Sequence, residues 1–434
     1  MAAERLRCSV ADAGEAAARV RALVPQGASV ADDVREIVAA VRAGGDAALI
    51  ALEQRFAGGG ERSGEAQAGG EAPGRDRKGS ARGRPLRVAP EELAAALEGL
   101  DPDVRRGLEV AIANVRRVAE AGRDAEAEAE LPEGHTVRLR EVPVGRAAVY
   151  VPAGRNPYPS SVVMGAVTAR AAGVDEVVVA AGEHPAILAA CALCEVDGVF
   201  RMGGAQAIAA LAYGTETVPA VDVIVGPGSL WVQEAKRQVS GDVGIDGFAG
   251  PSDLTVILSA GADPEPLRLD LLAQAEHGAD SLVVAVSDDE GLLDGVATLE
   301  GSEPSAGLAV AVLAESMDAA LAFAEALAPE HLQLAGAAAE ALAPRVRRAG
   351  CLFVGAEAGT AFGDYVAGSN HTLPTGGAAR FASGLSARHF RRRMAEVRLG
   401  DAAGALARAG APVARAEGFP RHAASMEIRE NPRR

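Results

Sequence analysis

The sequence predicts an α/β fold: two tandem Rossmann-like parallel-sheet domains, with a helical N-terminal region and an extended C-terminal tail. Three observations carry that expectation. From residue 146 short Val- and Ile-rich runs alternate with helix-period stretches, the same rhythm restarts at residue 253, and glycine-containing turns close the runs. A chain of 434 residues is also too long for one ordinary core, since about 150 residues per domain is the usual scale.

The elements follow in order. Residues 32–56 ("DDVREIVAAVRAGGDAALIALEQRF") and 90–122 ("PEELAAALEGLDPDVRRGLEVAIANVRRVAEAG") carry helical periodicity and build the N-terminal part of the first domain, residues 1–145. Between them, "GGGERSGEAQAGGEAPGRDRKGSARGRP" contains no Val, Ile, Leu, Met or aromatic residue, so an insertion near 58–85 is expected to stay disordered. The runs "AAVYVP", "EVVVAAG", "GVFRMGG" and "DVIVGPG" give a parallel-sheet domain over 146–251, and "DLTVILS", "SLVVAVS", "LAVAVLA" and "CLFVG" give a second over 252–385. No G-x-G-x-x-G follows a strand, so the usual dinucleotide fingerprint is absent. Gly203, Gly204, Gly226 and Gly228 still allow backbone to approach a ligand at the carboxyl ends of strands, where such sheets bind ligands. Tight βα turns would use the same glycines. From Arg388 the pattern becomes a charged tail, and the segment 386–434 is expected to dock on its own subunit or a neighbour.

Composition narrows the function. A net charge of −16 argues against a nucleic-acid partner. The first thirty residues hold no apolar signal-like run and no later run approaches about eighteen apolar residues, so a soluble, cytoplasmic protein is expected. The cysteines Cys8, Cys191, Cys194 and Cys351 are too few to staple the chain, and the C-x-x-C of Cys191 and Cys194 lies in an Ala/Leu-rich helical run with no second pair. These two are read as core.

Polar groups gather in a few places. "LLAQAEHGAD" crowds Gln274, Glu276 and His277 into what reads as the last turn of a helix, where residues three apart share a face. Alone, a Q-x-x-H is better explained by a His complementing the helix dipole. Asp364 and His371 fall in "FGDYVAGSNHTLPTGG", read as a loop at the carboxyl edge after the strand "CLFVG". Gln274, His277, Asp364 and His422 together make an N2O2 set suited to zinc or a similar divalent ion. Glu330 and His331 are adjacent and would diverge by about 100° on a helix, while Pro329 biases Ala328 toward an extended conformation; the pair is therefore placed at a helix break, each side chain addressing a reaction centre separately.

An ordered series of motifs, "VYVPAGRNPYPSSVVM", "RMGGAQAIAALAYGTETV", "VDVIVGPGSLWVQEAKRQV", "GIDGFAGPSD", "LLAQAEHG", "APEHLQL", "FGDYVAGSNHTLPTGG" and "AEGFPRH", resembles the histidinol dehydrogenase family over nearly the whole chain. The resemblance implies zinc held by Gln274, His277, Asp364 and His422, and oxidation of L-histidinol to L-histidine through a bound aldehyde with two NAD. It implies His331 as general base and Glu330 as the activator of water. It further implies substrate contacts from Ser252, Glu417, His331 and the metal ligands, cofactor contacts from Tyr150, Gln206 and Ser229, and a homodimer with shared active sites.

The match has departures. "GPGS" places Ser229 where the family usually has Asn, a shorter group without an amide donor. Asp253 stands for the usual Glu, Ala153 for Gly and Gln333 for a common Glu. Two other readings stay open at this stage. One is a paralogue with the same zinc and NAD apparatus acting on another small polar alcohol such as a sulfonated diol, against which Glu417 speaks. The other is a two-lobed α/β metal-binding protein with altered catalysis.

Overall fold

The computed structural model describes residues 4–24, 29–57, 84–152, 156–248, 250–297 and 307–430. Residues 58–83 of the expected insertion, and Ala153, lie outside the described residues. The chain divides into two compact units, Met1–Gly122 with Val144–Phe390, and Arg123–Pro143 with Arg391–Arg434.

The chain begins with β1 (Glu4–Cys8), α1 (Ala13–Ala22), α2 (Ala31–Ala57), α3 (Pro90–Glu98), α4 (Pro102–Ala121), β2 (Ala127–Glu130) and β3 (Thr136–Pro143). A first alternating stretch follows as β4 (Arg146–Tyr150), α5 (Pro159–Ala172), β5 (Glu176–Ala181), α6 (Pro185–Leu193), β6 (Gly198–Arg201), α7 (Gly204–Tyr213), β7 (Val223–Val225), α8 (Leu230–Val239) and β8 (Gly244–Ile245). The second comprises β9 (Asp253–Leu258), α9 (Pro264–Ala275), β10 (Leu282–Ser287), α10 (Glu290–Ala297), β11 (Leu308–Ala314), α11 (Met317–Leu327), β12 (His331–Ala335), α12 (Ala337–Glu340), β13 (Cys351–Val354) and α13 (Thr360–Tyr365). The chain closes with β14 (Arg391–Arg398), α14 (Ala403–Ala416) and α15 (Pro420–Glu427).

Among the described residues, the larger unit holds two parallel sheets, ordered β6-β5-β4-β7-β8 and β1-β11-β10-β9-β12-β13. Every Val/Ile-rich run read as a strand is one. Both sheets are buried on two faces, which is why their strands read as continuous apolar runs rather than alternating ones. The first packs α4, α5 and α6 on one side and α2, α7 and α8 on the other. The second packs α1 and α11 on one side and α9 and α10 on the other. Each fully buried Val, Leu or Ile in these layers contributes about 1.5–3 kcal/mol. Cys191 and Cys194 are buried in or beside α6, and burial pushes both thiols up, as core residues require.

Some expectations change. The helical run at 90–122 is two helices, because Asp101 caps α4, accepting from Asp103 N at 2.7 Å and Val104 N at 3.2 Å, with Pro102 at its first position. The first residues are not a helical lead-in to the first domain: β1 pairs in parallel with β11 of the second sheet. The tail is more regular than its charged composition indicates. In the smaller unit β14 pairs antiparallel with β3 along its full length, β3 pairs with β2, and α14 packs on α15. β14 shows no apolar stripe because nearly all of it is exposed or half-exposed.

Candidate active site

Strand order fixes where side chains can converge. In the second sheet the order reverses between β9 and β12, and His331, the first residue of β12, lies opposite Leu254 of β9 and Cys351 of β13. Ser252 and Asp253 enter β9, and Glu330 enters β12, at that same amino edge. Helices α9 and α13 run back to this edge and bring Gln274 and Asp364 with them, each in the last turn of its helix. The cluster therefore lies at the amino ends of the strands, not the carboxyl ends expected from the sequence.

The contacts are short and mostly buried. Gln274 Nε2 donates to Ser252 Oγ at 2.6 Å, and Ser252 Oγ donates to Glu330 Oε2 at 2.5 Å. Asp253 N donates to the same Oε2 at 3.0 Å, while Glu330 N donates to Asp253 Oδ1 at 2.8 Å. His331 Nδ1 lies 3.2 Å from the Asp253 carbonyl and 3.7 Å from Glu330 Oε2, and its Nε2 lies 3.7 Å from Asp364 Oδ1. A carbonyl can only accept, so Nδ1 carries the hydrogen and Nε2 is left as the basic nitrogen of the neutral ring. Glu330 and His331 thus converge on shared partners, contrary to the divergence expected of a helix. Ala328 is left-handed at φ 49°, capping α11, and not extended; this turn and the β12 ladder set the pair. Gly350 lets the neighbouring chain in: a Cβ there would stand 2.6 Å from Glu330 O.

Burial tunes these groups. It pushes the Glu330 carboxyl up to about 7, with Asp253 adding to the rise and His331 and Ser252 opposing it. Burial would lower His331, but the Glu330 and Asp364 charges and its contacts with Asp364 and Asp253 outweigh it and raise it to about 9. Burial likewise opposes ionisation of Asp364, yet His331, with smaller help from His371 and His277, holds it below the usual carboxylate range. Burial holds His371 below its ordinary value, and its Nε2 is buried without a hydrogen-bond partner.

The remaining expected residues are placed as follows. Helix α9 ends at Ala275, with Glu276 as its cap, so His277 is exposed in the turn beyond and not in the last turn itself. His277 N still bonds to Gln274 O at 3.3 Å. Asp364 belongs to α13 rather than to a loop; His371 is in the loop after it. Glu417 and His422 belong to the smaller unit and are both exposed, Glu417 as the cap that ends α14 and His422 in the first turn of α15, with the His422 ring 5.2 Å edge-on to Phe419. Among the described residues no three His, Cys, Asp or Glu groups are gathered as a metal cluster. One of the four expected ligands is an amide, and one lies in the other unit.

The first sheet presents a different edge. Its order reverses between β4 and β7, and Tyr150 ends β4 while the turn Gly226 to Ser229 leaves β7. Gly226, at φ 120°, lies against Tyr150, and a Cβ there would stand 2.1 Å from Tyr150 O. Lys236, fully buried, donates to Gly226 O at 3.0 Å and pairs with Asp246, which accepts from Gly226 N at 2.7 Å. Tyr150 is itself fully buried, and its hydroxyl accepts from Gly204 N at 3.0 Å. Gln206 Nε2 and Gly203 N both donate to Glu53 Oε1 at 2.9 Å. Tyr150 and Gln206 are therefore brought together at the start of α7, whereas Ser229 caps α8 with no side-chain hydrogen bond to it.

The comparisons settle the kinship. The histidinol dehydrogenase family model matches residues 24–430. The chain belongs to the histidinol dehydrogenase family. The histidinol dehydrogenase of Pseudomonas aeruginosa is 40% identical over 424 residues, spanning 92% of each chain, and that of Haloarcula marismortui is 41% identical over 428 residues, spanning 92% of this chain and 94% of its own. The crystal structure of histidinol dehydrogenase from Elizabethkingia anophelis superposes with a TM-score of 0.84 at 28% identity, covering 94% of this chain and 93% of that one. As a family member the chain is an oxidoreductase of dehydrogenase type. Among the described residues, no helix is long and apolar enough to cross a membrane.

Sequence reasoning missed Arg21, Glu53, Lys236 and Asp246, and treated Asp253 only as a departure. Nothing in "AARVRALV" distinguishes Arg21 from a solvated helix face.

Proposed function

We propose that the protein is a cytoplasmic, zinc-dependent histidinol dehydrogenase that oxidises L-histidinol to L-histidine through L-histidinal with two NAD, the last step of histidine biosynthesis. The observation that carries this reading is the Gln274–Ser252–Glu330–His331–Asp364 network at one sheet edge in a chain of this family.

The residues fit a divalent cation. Ser252 gives its hydrogen to Glu330 and so takes one from Gln274 Nε2, which leaves Gln274 Oε1 as the amide atom for a metal. Asp364 stays ionised beside it, and His277 and His422 supply imidazoles for the N2O2 set. Helices α9, α11 and α13 all end at this edge, where the negative ends of their dipoles favour a cation. At the first sheet α7 and α8 begin at the opposite, carboxyl edge, where positive helix ends favour the phosphates of NAD near Tyr150, Gln206 and Ser229.

Zinc held by Gln274, His277, Asp364 and His422 would supply a template for the polar end of histidinol, and NAD would accept the hydride. His331 Nε2 takes the hydroxyl proton as the alcohol is oxidised. Glu330 takes a proton from the water that adds to the aldehyde, and His331 takes the proton of the resulting hydrate as the second hydride leaves. Ser252 and Glu417 hold the substrate. Two subunits form the enzyme, each tail carrying Glu417 and His422 into the site of the other.

NADH absorbance tests the activity: two NADH per L-histidinol are expected, and one per L-histidinal. Turnover of other polar alcohols but not histidinol would favour the paralogue, and no turnover of either would leave a binding protein. The shared site is tested by mixing His422→Ala and His277→Ala chains. Each alone is expected to be inactive and the heterodimer to recover zinc and part of the activity; proven heterodimers without recovery would put His422 in its own subunit's site.

A further inference from the structure

Arg21 lies on α1, which packs with α11 on one face of the second sheet, and it precedes the first residue matched by the family model. Its guanidinium has two fixed acceptors. Nη1 donates to Asp253 Oδ2 at 2.7 Å, and Nη2 donates to the Leu327 carbonyl at 2.8 Å. Asp253 is 1% exposed and Arg21 retains 25% of its side-chain exposure, so one carboxylate oxygen is held from the protein's rim inward. The other oxygen of Asp253 accepts from Glu330 N, the Asp253 amide donates to Glu330 Oε2, and its carbonyl receives His331 Nδ1.

We infer that Arg21 and Asp253 are positioning residues for the Glu330/His331 pair. Arg21 bridges the two places that set this pair: Asp253, which bonds to both residues, and the last turn of α11, from which the chain passes through left-handed Ala328 and Pro329 into Glu330. A planar guanidinium can hold a carboxylate and a carbonyl at fixed separation; an ammonium holds one at a time. The N-terminal helix thereby fixes the direction of His331 Nε2 and Glu330 Oε2 without touching substrate. This inference rests on the roles assigned to Glu330 and His331 above.

The test compares Arg21→Ala, Arg21→Lys and Asp253→Asn with the unaltered holoenzyme, using L-histidinol and L-histidinal. Misplacing both groups is expected to lower kcat roughly 10- to 100-fold with both substrates in Arg21→Ala and Asp253→Asn, with KM for NAD and zinc content retained. Arg21→Lys is expected to recover part of kcat. Should Arg21→Ala fold poorly, the near-isosteric Asp253→Asn keeps the test open. Unchanged kcat in both variants, or loss of zinc and KM in step with kcat, overturns the inference. Hydrogen exchange at the Glu330 and His331 amides, read without substrate, is expected to rise in Arg21→Ala alone of the sheet interior; it keeps this inference testable even if histidinol is not the substrate.

Discussion

The two parallel sheets of the larger unit are built alike, and the residues proposed for chemistry gather at opposite edges of them. The first offers its carboxyl edge, where strands end in Gly-rich turns and helices begin. The second offers its amino edge, where Ser252 and Glu330 lead into strands that begin at Asp253 and His331, and where Gln274 and Asp364 lie in the last turns of α9 and α13. The difference follows from helix polarity. Helix starts present N–H groups and positive potential, which suit an anionic dinucleotide; helix ends present carbonyls and negative potential, which suit a metal cation and a base that must gain protons.

The sharpest way to break this comparison is to remove the charge at the cation edge. Asp364→Asn is expected to lose zinc and to lower activity by roughly 1000-fold or more, the scale of several kcal/mol of charge stabilisation, while NAD binding at the other sheet persists. Metal analysis beside NAD titration reads both, and joint loss would mean that the edges are not separate.

The acid and base come next. His331→Ala is expected to slow both oxidation steps by roughly 10²–10⁴-fold, and Glu330→Gln to slow the aldehyde step more than the alcohol step. Because burial lifts Glu330 to about 7, the aldehyde step should fall as pH drops below that value, where the carboxyl keeps its proton and cannot accept another. The alcohol step should climb as pH approaches the raised value of His331, since the proton must leave before the ring can act. Equal losses on both substrates for Glu330→Gln, or a flat pH profile, would reject the division of labour.

Much of this architecture could be read before folding. Strands buried on both faces announce themselves as "EVVVAA" or "LVVAVS", and Gln274, Glu330, His331 and Asp364 stood out as scattered polar groups. The edge was not. Asp364 follows the strand "CLFV", but α13 carries it back across the sheet, and only the direction of that return decides which end it serves. β12 was hidden because "HLQLA" comes two residues after Pro329 and alternates polar with apolar, although all five residues are buried. β2 and β14 stayed unseen because their side chains face no core.

Smaller effects probe the cofactor edge. Gly226→Ala is expected to cost about 1–3 kcal/mol from its positive φ alone, with more from the clash at Tyr150 O, lowering Tm and raising KM for NAD while a folded fraction keeps its zinc. Ser229→Asn adds an amide donor at the start of α8 and is expected to tighten NAD by about 2- to 10-fold, the worth of one hydrogen bond, with zinc unchanged. Unaltered NAD affinity would show that residue 229 does not face the cofactor.

The central claim is that cation and dinucleotide bind at opposite strand ends of two similar sheets. Crystals grown with zinc and NAD, with diffraction recorded on both sides of the zinc absorption edge, test it most directly. The account predicts an anomalous peak beside Gln274 and Asp364 at the amino edge of the second sheet, and dinucleotide density at the turns after Tyr150 and Val225 of the first. Zinc away from Gln274 and Asp364, or NAD at the carboxyl edge of the second sheet near Ser259 and Gly336, would contradict it.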